Sequence, residues 1–141
     1  MKIYLAPVSH IPYITSFFYE HLTSDNDALY SREFFCPDGV QAAIRRGQVM
    51  VAVDDDRIVG AVRFYKRKTQ NIISLYQFAI DAQYRGQGLL IRMFAVIGEA
   101  PIEISCPIDS TFNEYYIKTG WILQGEHKGN NQYHYLSEVS Q

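Results

Sequence analysis

Apolar positions along this chain switch several times between the two-residue period of a strand and the longer period of a helix. Residues 2–6 predict a short opening strand. From Ser9, a candidate cap, Ile11, Ile14, Phe17, Phe18, His21 and Leu22 fall near one face of a helix. Pro12 lies in the first turn, where its missing N–H does no harm. Asp25, Asn26 and Asp27 mark a loop. A second helical region is expected first around 31–35, then from an Asp38 cap through Ala42, Ile44 and Arg46 to Gly47 as a stop.

After Gly47 the pattern predicts strands at 48–53, 57–65 and 72–80. Asp54-Asp55-Asp56 joins the first two, and Lys66-Arg67-Lys68 is a solvated hairpin end. Residues 83–88 read as a glycine-containing turn and 89–97 as a helix. That helix is apolar nearly all round, which implies cover on both sides, from a second layer of the chain or from a partner subunit. Behind Pro101 comes a strand at 102–106, then a short helix at 113–119 ended by Gly120. Strands 121–127 and 132–137 close the chain as a hairpin around Gly129-Asn130-Asn131. Strand 72–80, helix 89–97 and strand 102–106 form a βαβ unit with parallel strands, whereas the hairpins are antiparallel. The expected fold class is α/β (α+β): a mixed, mostly antiparallel sheet with helices on both faces.

The 141 residues suit one domain, 1–141. A formal net charge of −2 gives no broad attraction to nucleic acid or to an anionic membrane. The most apolar run, 89–97, is about half a membrane span and contains Arg92. Cys36 and Cys106 form no C-x-x-C pair, and the four histidines show no metal-ligand spacing, so neither a disulfide framework nor a metal is expected. The opening residues, with Lys2 and then Pro7, are unlike a signal peptide, and a cytoplasmic protein with reduced thiols is the expectation.

Chemistry concentrates where Ile80-Asp81-Ala82-Gln83-Tyr84-Arg85-Gly86-Gln87-Gly88-Leu89-Leu90 leaves a strand, turns through two glycines and opens a helix. Helix N-termini present unpaired N–H groups and the positive end of the macrodipole, which attract phosphate. No Gly-Lys-Ser/Thr follows, which argues against a P-loop. Ile91 stands where a dinucleotide-binding fingerprint needs its third glycine.

Gln83-x-x-Gly86-x-Gly88 resembles the Q/R-x-x-G-x-G/A pyrophosphate loop of the GNAT superfamily of acetyl-CoA-dependent N-acetyltransferases. Asn113-Glu114-Tyr115-Tyr116-Ile117-Lys118-Thr119-Gly120-Trp121 is similar to the family's F-Y-x-x-x-G-F segment, and the element order agrees. The likeness spans roughly residues 1–139, and its specific part is 78–121. It implies a parallel strand pair that splays to admit the pantetheine arm. Backbone groups of Phe78, Ala79 and Ile80 would pair with that arm. The N–H groups of Arg85, Gly86, Gln87, Gly88, Leu89 and Leu90 would hold the pyrophosphate. Tyr116 matches the tyrosine that protonates the departing thiolate, and Asn113 is a candidate for bonding the cofactor arm, or else a helix cap.

A general base is not visible, because 74–79 carries no carboxylate. Cys106 is assigned no covalent role. In this family the first helices line the acceptor side, and here they supply Phe17, Phe18, Tyr19, Tyr30, Phe34 and Phe35. The acceptor is expected to be a small-molecule amine or a protein amine, and a homodimer is compatible with the apolar helix. Two other classes compete: an acyl-CoA-sensing module without catalysis, and a nucleotide-binding module built on the same turn.

Overall fold

Central strands form over continuous apolar runs buried on both faces, such as 49–52, and several turns form where the backbone takes a positive φ, as at Asp55 and Asp56. The computed structural model describes residues 1–24 and 36–136. In chain order the elements are β1 (Lys2–Leu5), α1 (Ile11–Ser24), α2 (Pro37–Arg45), β2 (Val49–Asp54), β3 (Arg57–Lys66) and β4 (Ile73–Ile80), then α3 (Leu89–Ile97), β5 (Ile102–Pro107), α4 (Phe112–Lys118), β6 (Ile122–His127) and β7 (Asn130–Tyr135). The strands make one sheet in the order β1-β2-β3-β4-β5-β7-β6. Every neighbouring pair is antiparallel except β4–β5, which is parallel as the βαβ pattern requires. No helix among the described residues is long and apolar enough to cross a membrane.

Two cores sit on the two faces of the sheet. On one, α1 and α2 bury Ile14, Phe18, Leu22, Val40 and Ile44 against Val49, Val51, Ala61 and Ala79. On the other, Leu89, Leu90, Met93, Phe94 and Ile97 of α3 join Leu75, Ile104, Tyr116, Trp121 and Tyr133. Of the two sources of cover expected for the outer side of α3, a second layer of the same chain is not present among the described residues: Ile91 is 37% and Val96 49% exposed. A stripe of five residues already satisfies an amphipathic helix, and the remaining apolar side chains face outward.

Boundaries moved where caps and turns decide them. The Cys36 thiol, rather than Asp38, caps α2 by accepting from Gly39 N at 3.3 Å, and Asp38 stands in the first turn. Lys128 (φ 52°) and Gly129 (φ 81°) form a two-residue hairpin turn, so β7 starts at Asn130, earlier than the asparagines suggested. The helical expectation at 31–35 lies outside the described residues, as do Tyr30, Phe34 and Phe35.

The feature that positions the site is a defect in β4. Gln77 pairs with Arg63 and Leu75 with Phe64, which leaves Tyr76 unpaired as a β-bulge. An extra residue bends its strand, and the β4–β5 ladder covers only Ile73↔Ile102 and Ser74↔Glu103. At this closed end a polar cluster ties three strands and a loop together. The Arg67 guanidinium pairs with Glu103. His134 Nε2 lies 2.8 Å from the other Glu103 oxygen, and Arg67 Nε donates to Ser74 Oγ at 3.4 Å. Past Ser74 the two strands diverge.

Candidate active site

Divergence leaves the β5-facing backbone edge of β4 without a neighbouring strand from Tyr76 to Ile80. Backbone N–H and C=O groups need partners, so an open edge is a template for an extended ligand. Beside it lies a cleft of about 620 Å³. Its walls come from Phe78 and Ile80 of β4, from Tyr84, Arg85, Gly86 and Gly88 of the loop, from Leu89, Leu90 and Ile91 of α3, and from Thr111, Phe112, Tyr115 and Thr119 around α4.

Local bonds fix the loop. Asp81 Oδ1 accepts from Gln83 N at 2.9 Å, and the Tyr84 hydroxyl donates to Asp54 Oδ2 at 2.7 Å. That bond to a carboxylate is the first cause of a raised Tyr84 pKa. Arg85 Nε donates to Ile80 O at 3.1 Å, and Gln87 Nε2 to Gln83 O at 2.8 Å. Gly86 and Gly88 have φ of 74° and 77°, the left-handed region that favours glycine. Gly88 is the N-cap of α3 and supplies no side-chain cap bond. The first bond into the helix runs from Arg92 N to Gly88 O at 3.1 Å, so the amides of Leu89, Leu90 and Ile91 precede the ladder. Positive helix-end potential and unpaired amides thus face the cleft mouth.

Seven of the sequence-selected residues line this cleft: Phe78, Ile80, Arg85, Gly86, Gly88, Leu89 and Leu90. Ala79 turns its fully buried side chain to the opposite core, leaving only its backbone on the β4 edge. The Gln87 side chain folds back on the loop.

Two other selections sit elsewhere. Asn113 is spent inside the chain: Nδ2 donates to Pro107 O (2.9 Å) and Ser110 O (2.8 Å), with Ile108 O at 3.3 Å. Its Oδ1 accepts from Asn131 Nδ2 (2.9 Å) and the Tyr133 hydroxyl (2.7 Å). It anchors the 107–110 loop to β7 and is not on the cleft wall. Tyr116 is 1% exposed, its ring packed 5.2 Å from Tyr133 and 5.3 Å from Trp121, also off the wall. Its neighbour Tyr115 is on the wall, 6.3 Å from the Phe78 ring. Successive helical side chains point about 100° apart, so burying Tyr116 with Trp121 turns Tyr115 toward β4. Burial raises the Tyr115 phenol above its ordinary 10.0 and keeps it protonated at neutral pH.

Sequence reasoning missed Tyr84, Thr111, Phe112, Tyr115 and Gln77. The i, i+3 spacing of Phe112 and Tyr115 would have put them on one helix face. Gln77 follows the bulge, and its Oε1 is buried with no hydrogen-bond partner. Such a group costs free energy unless a ligand or water satisfies it. Among the described residues no group of three or more His, Cys, Asp or Glu is arranged to hold a metal.

Comparison with known proteins agrees with this geometry. The acetyltransferase (GNAT) family profile matches residues 13–90. No curated protein sequence matches the chain. Among solved structures, a GNAT-family acetyltransferase from Listeria monocytogenes 4b F2365 superposes with a TM-score of 0.76 at 14% identity, over 96% of this chain and 94% of that one. The PaiA N-acetyltransferase from Thermoplasma acidophilum, solved in complex with coenzyme A, gives 0.70 at 12% identity, over 96% and 98%. An aminoglycoside 6'-acetyltransferase type Ii gives 0.67 at 16%, over 96% and 97%.

Proposed function

We propose, from the premise that the chain belongs to the GNAT acetyltransferase family, that it transfers an acetyl group from acetyl-CoA to a primary amine by direct attack in a ternary complex. The observation that carries this is the open β4 edge running into the N-terminus of α3. The pantetheine arm would pair with the backbone of Phe78, Ala79 and Ile80 as a short added strand. The amides from Gly86 to Leu90 would hold the pyrophosphate, with Gly86 and Gly88 providing the backbone conformation, whereas the Arg85 N–H, expected among them, already donates to Ala82 O at 3.4 Å.

The amine attacks the thioester carbon, charge builds on the carbonyl oxygen, and the C–S bond breaks as the sulfur takes a proton. Two adjacent phenols compete for the donor role. The family motif favours Tyr116. The cleft wall favours Tyr115, which is protonated at neutral pH and sits above Phe78; Tyr115 is the assignment we adopt. Gln77 Oε1, lacking a partner, would accept from the incoming amine and orient it. No carboxylate on β4 serves as base, so the amine attacks in its neutral form, the tetrahedral nitrogen loses its proton to water, and Tyr115, having protonated the sulfur, recovers a proton from water.

The second reading, a domain that binds acyl-CoA without turnover, draws on that missing carboxylate. Release of free thiol from acetyl-CoA across a panel of amines separates the two. Acceptor-dependent release is expected; acetyl-CoA binding with no release for any amine would favour the binding module.

A further inference from the structure

Five of the chain's 13 Lys and Arg residues gather at one place, although the net charge is −2. Arg46, Arg63, Lys66, Arg67 and Lys68 line a groove of about 630 Å³ at the β3–β4 hairpin end. No acidic residue lines it among the described residues. Arg67 is committed to Glu103, Gln70 and Ser74. Arg46, Arg63, Lys66 and Lys68 have no carboxylate within ion-pair distance among the described residues.

Arg63 is held in place without a charge partner among the described residues. Its guanidinium stacks on the Tyr76 ring, 4.1 Å from the centroid. A Cβ added at Gly39 would stand 3.1 Å from one guanidinium nitrogen. Gly39 belongs to the first turn of α2, so the guanidinium lies against the side of that turn, whose positive helix-end potential adds to its own charge and favours an anion beside both. Asp38, in the same turn, makes no ion pair with it. A pinned planar fork with open donors is suited to carboxylate or phosphate.

The groove's position gives it a purpose. Tyr76 is the bulge residue of β4, and Arg63 and Gly39 put it on the α1–α2 face. Phe78, two residues on, lines the donor cleft on the opposite face. The groove therefore meets the opened stretch of β4 at its first residue, Tyr76, from the face opposite the cleft.

We propose that this groove binds the anionic group of the acceptor, so that the substrates are primary amines bearing a carboxylate or phosphate and polycationic amines are disfavoured. The proposal rests on the acetyl-transfer reading above. Its test uses the full chain, acetyl-CoA and thiol release with L-glutamate and L-aspartate (carboxylate arm), O-phosphoethanolamine and O-phosphoserine (phosphate arm), and putrescine and spermidine (cationic arm). At least one anionic arm is expected to exceed the cationic arm about tenfold or more in kcat/KM, and Arg63→Gln to raise its KM by a similar factor, more than it lowers kcat. Lys68→Gln, at an exposed hairpin position, guards against a folding artefact and should raise KM in the same direction by less. Equal or better turnover of putrescine or spermidine would overturn the proposal; acetyl-CoA binding with no turnover of any amine would overturn the acetyl-transfer reading instead, and the groove is then decided by thermal shifts. Thermal shifts with L-glutamate and O-phosphoethanolamine, without acetyl-CoA, read the groove independently of the donor site. Stabilisation lost in Arg63→Gln supports the proposal even should acetyl-CoA fail to bind; equal shifts in wild type and variant refute it.

Discussion

Replacing Gly88 separates backbone strain from ligand contact in one experiment. The residue holds φ at 77°, and a Cβ built there meets no atom within 4 Å, so the protein offers conformational resistance but no steric resistance. For alanine the left-handed conformation costs about 1–2 kcal/mol, which lowers Tm by roughly 3–8 °C in a domain of this size. Asparagine visits that region more readily, so Gly88→Asn should lose less than Gly88→Ala. Both variants place new atoms in open space at the cleft mouth, where the first amides of α3 would meet phosphate. Losing one or two charge-assisted N–H contacts corresponds to about 10- to 100-fold weaker acetyl-CoA binding. Calorimetry and thermal melts on the two variants should therefore rank differently: stability falls Ala more than Asn, whereas affinity falls in both. A Gly88→Asn protein that melts near wild type and keeps wild-type acetyl-CoA affinity would refute the phosphate seat.

Three further outcomes follow from the geometry. Tyr115→Phe should cut the maximal rate about 100-fold or more while leaving Tm nearly unchanged. Tyr116→Phe should chiefly alter Tm, because that ring lies in the aromatic core; a rate loss confined to Tyr116→Phe in steady-state assays would return the proton to the motif position. Asn113→Ala strands the Tyr133 hydroxyl and the Asn131 amide, a cost of about 2–3 kcal/mol, while the Pro107 and Ser110 carbonyls keep backbone donors. Acetyl-CoA affinity of the remaining folded protein should hold, and a selective loss of affinity with intact stability would put Asn113 back at the ligand. Burial raises Tyr115 and Tyr133 above 10.0, so above that pH the unfolded chain releases phenol protons before the folded one does. Stability is then flat through neutrality on their account and declines as pH rises past about 10; melts from pH 8 to 11 should show a shallower decline in Tyr115→Phe, and an unchanged slope would remove that residue from the explanation.

The strands and α3 were legible because alternation and apolar periodicity are direct images of which side chains meet the core. The glycine turn that opens α3 was legible because glycine at two positive-φ positions leaves a mark in sequence. What escaped was set by contacts between elements distant in the chain. The Tyr76 bulge depends on how β3 and β4 pair, and no local signal in 72–80 announces it. The exchange of Tyr116 for Tyr115 on the cleft wall depends on Trp121 and Tyr133 drawing one ring inward. Asn113 reads from sequence as a ligand or a cap, yet its partners Asn131 and Tyr133 come from the last strand. The basic groove likewise assembles α2, β3 and the hairpin end, none of which is strongly basic alone apart from Lys66-Arg67-Lys68.

An amide-resolved NMR titration of the full chain with acetyl-CoA reads the donor site directly. Saturable binding is expected, with the largest shifts at the amides of Gly86, Gly88, Leu89 and Leu90 and along β4 from Phe78 to Ile80. No saturation, or shifts concentrated away from the loop and that strand edge, would contradict a coenzyme held between the parted strands.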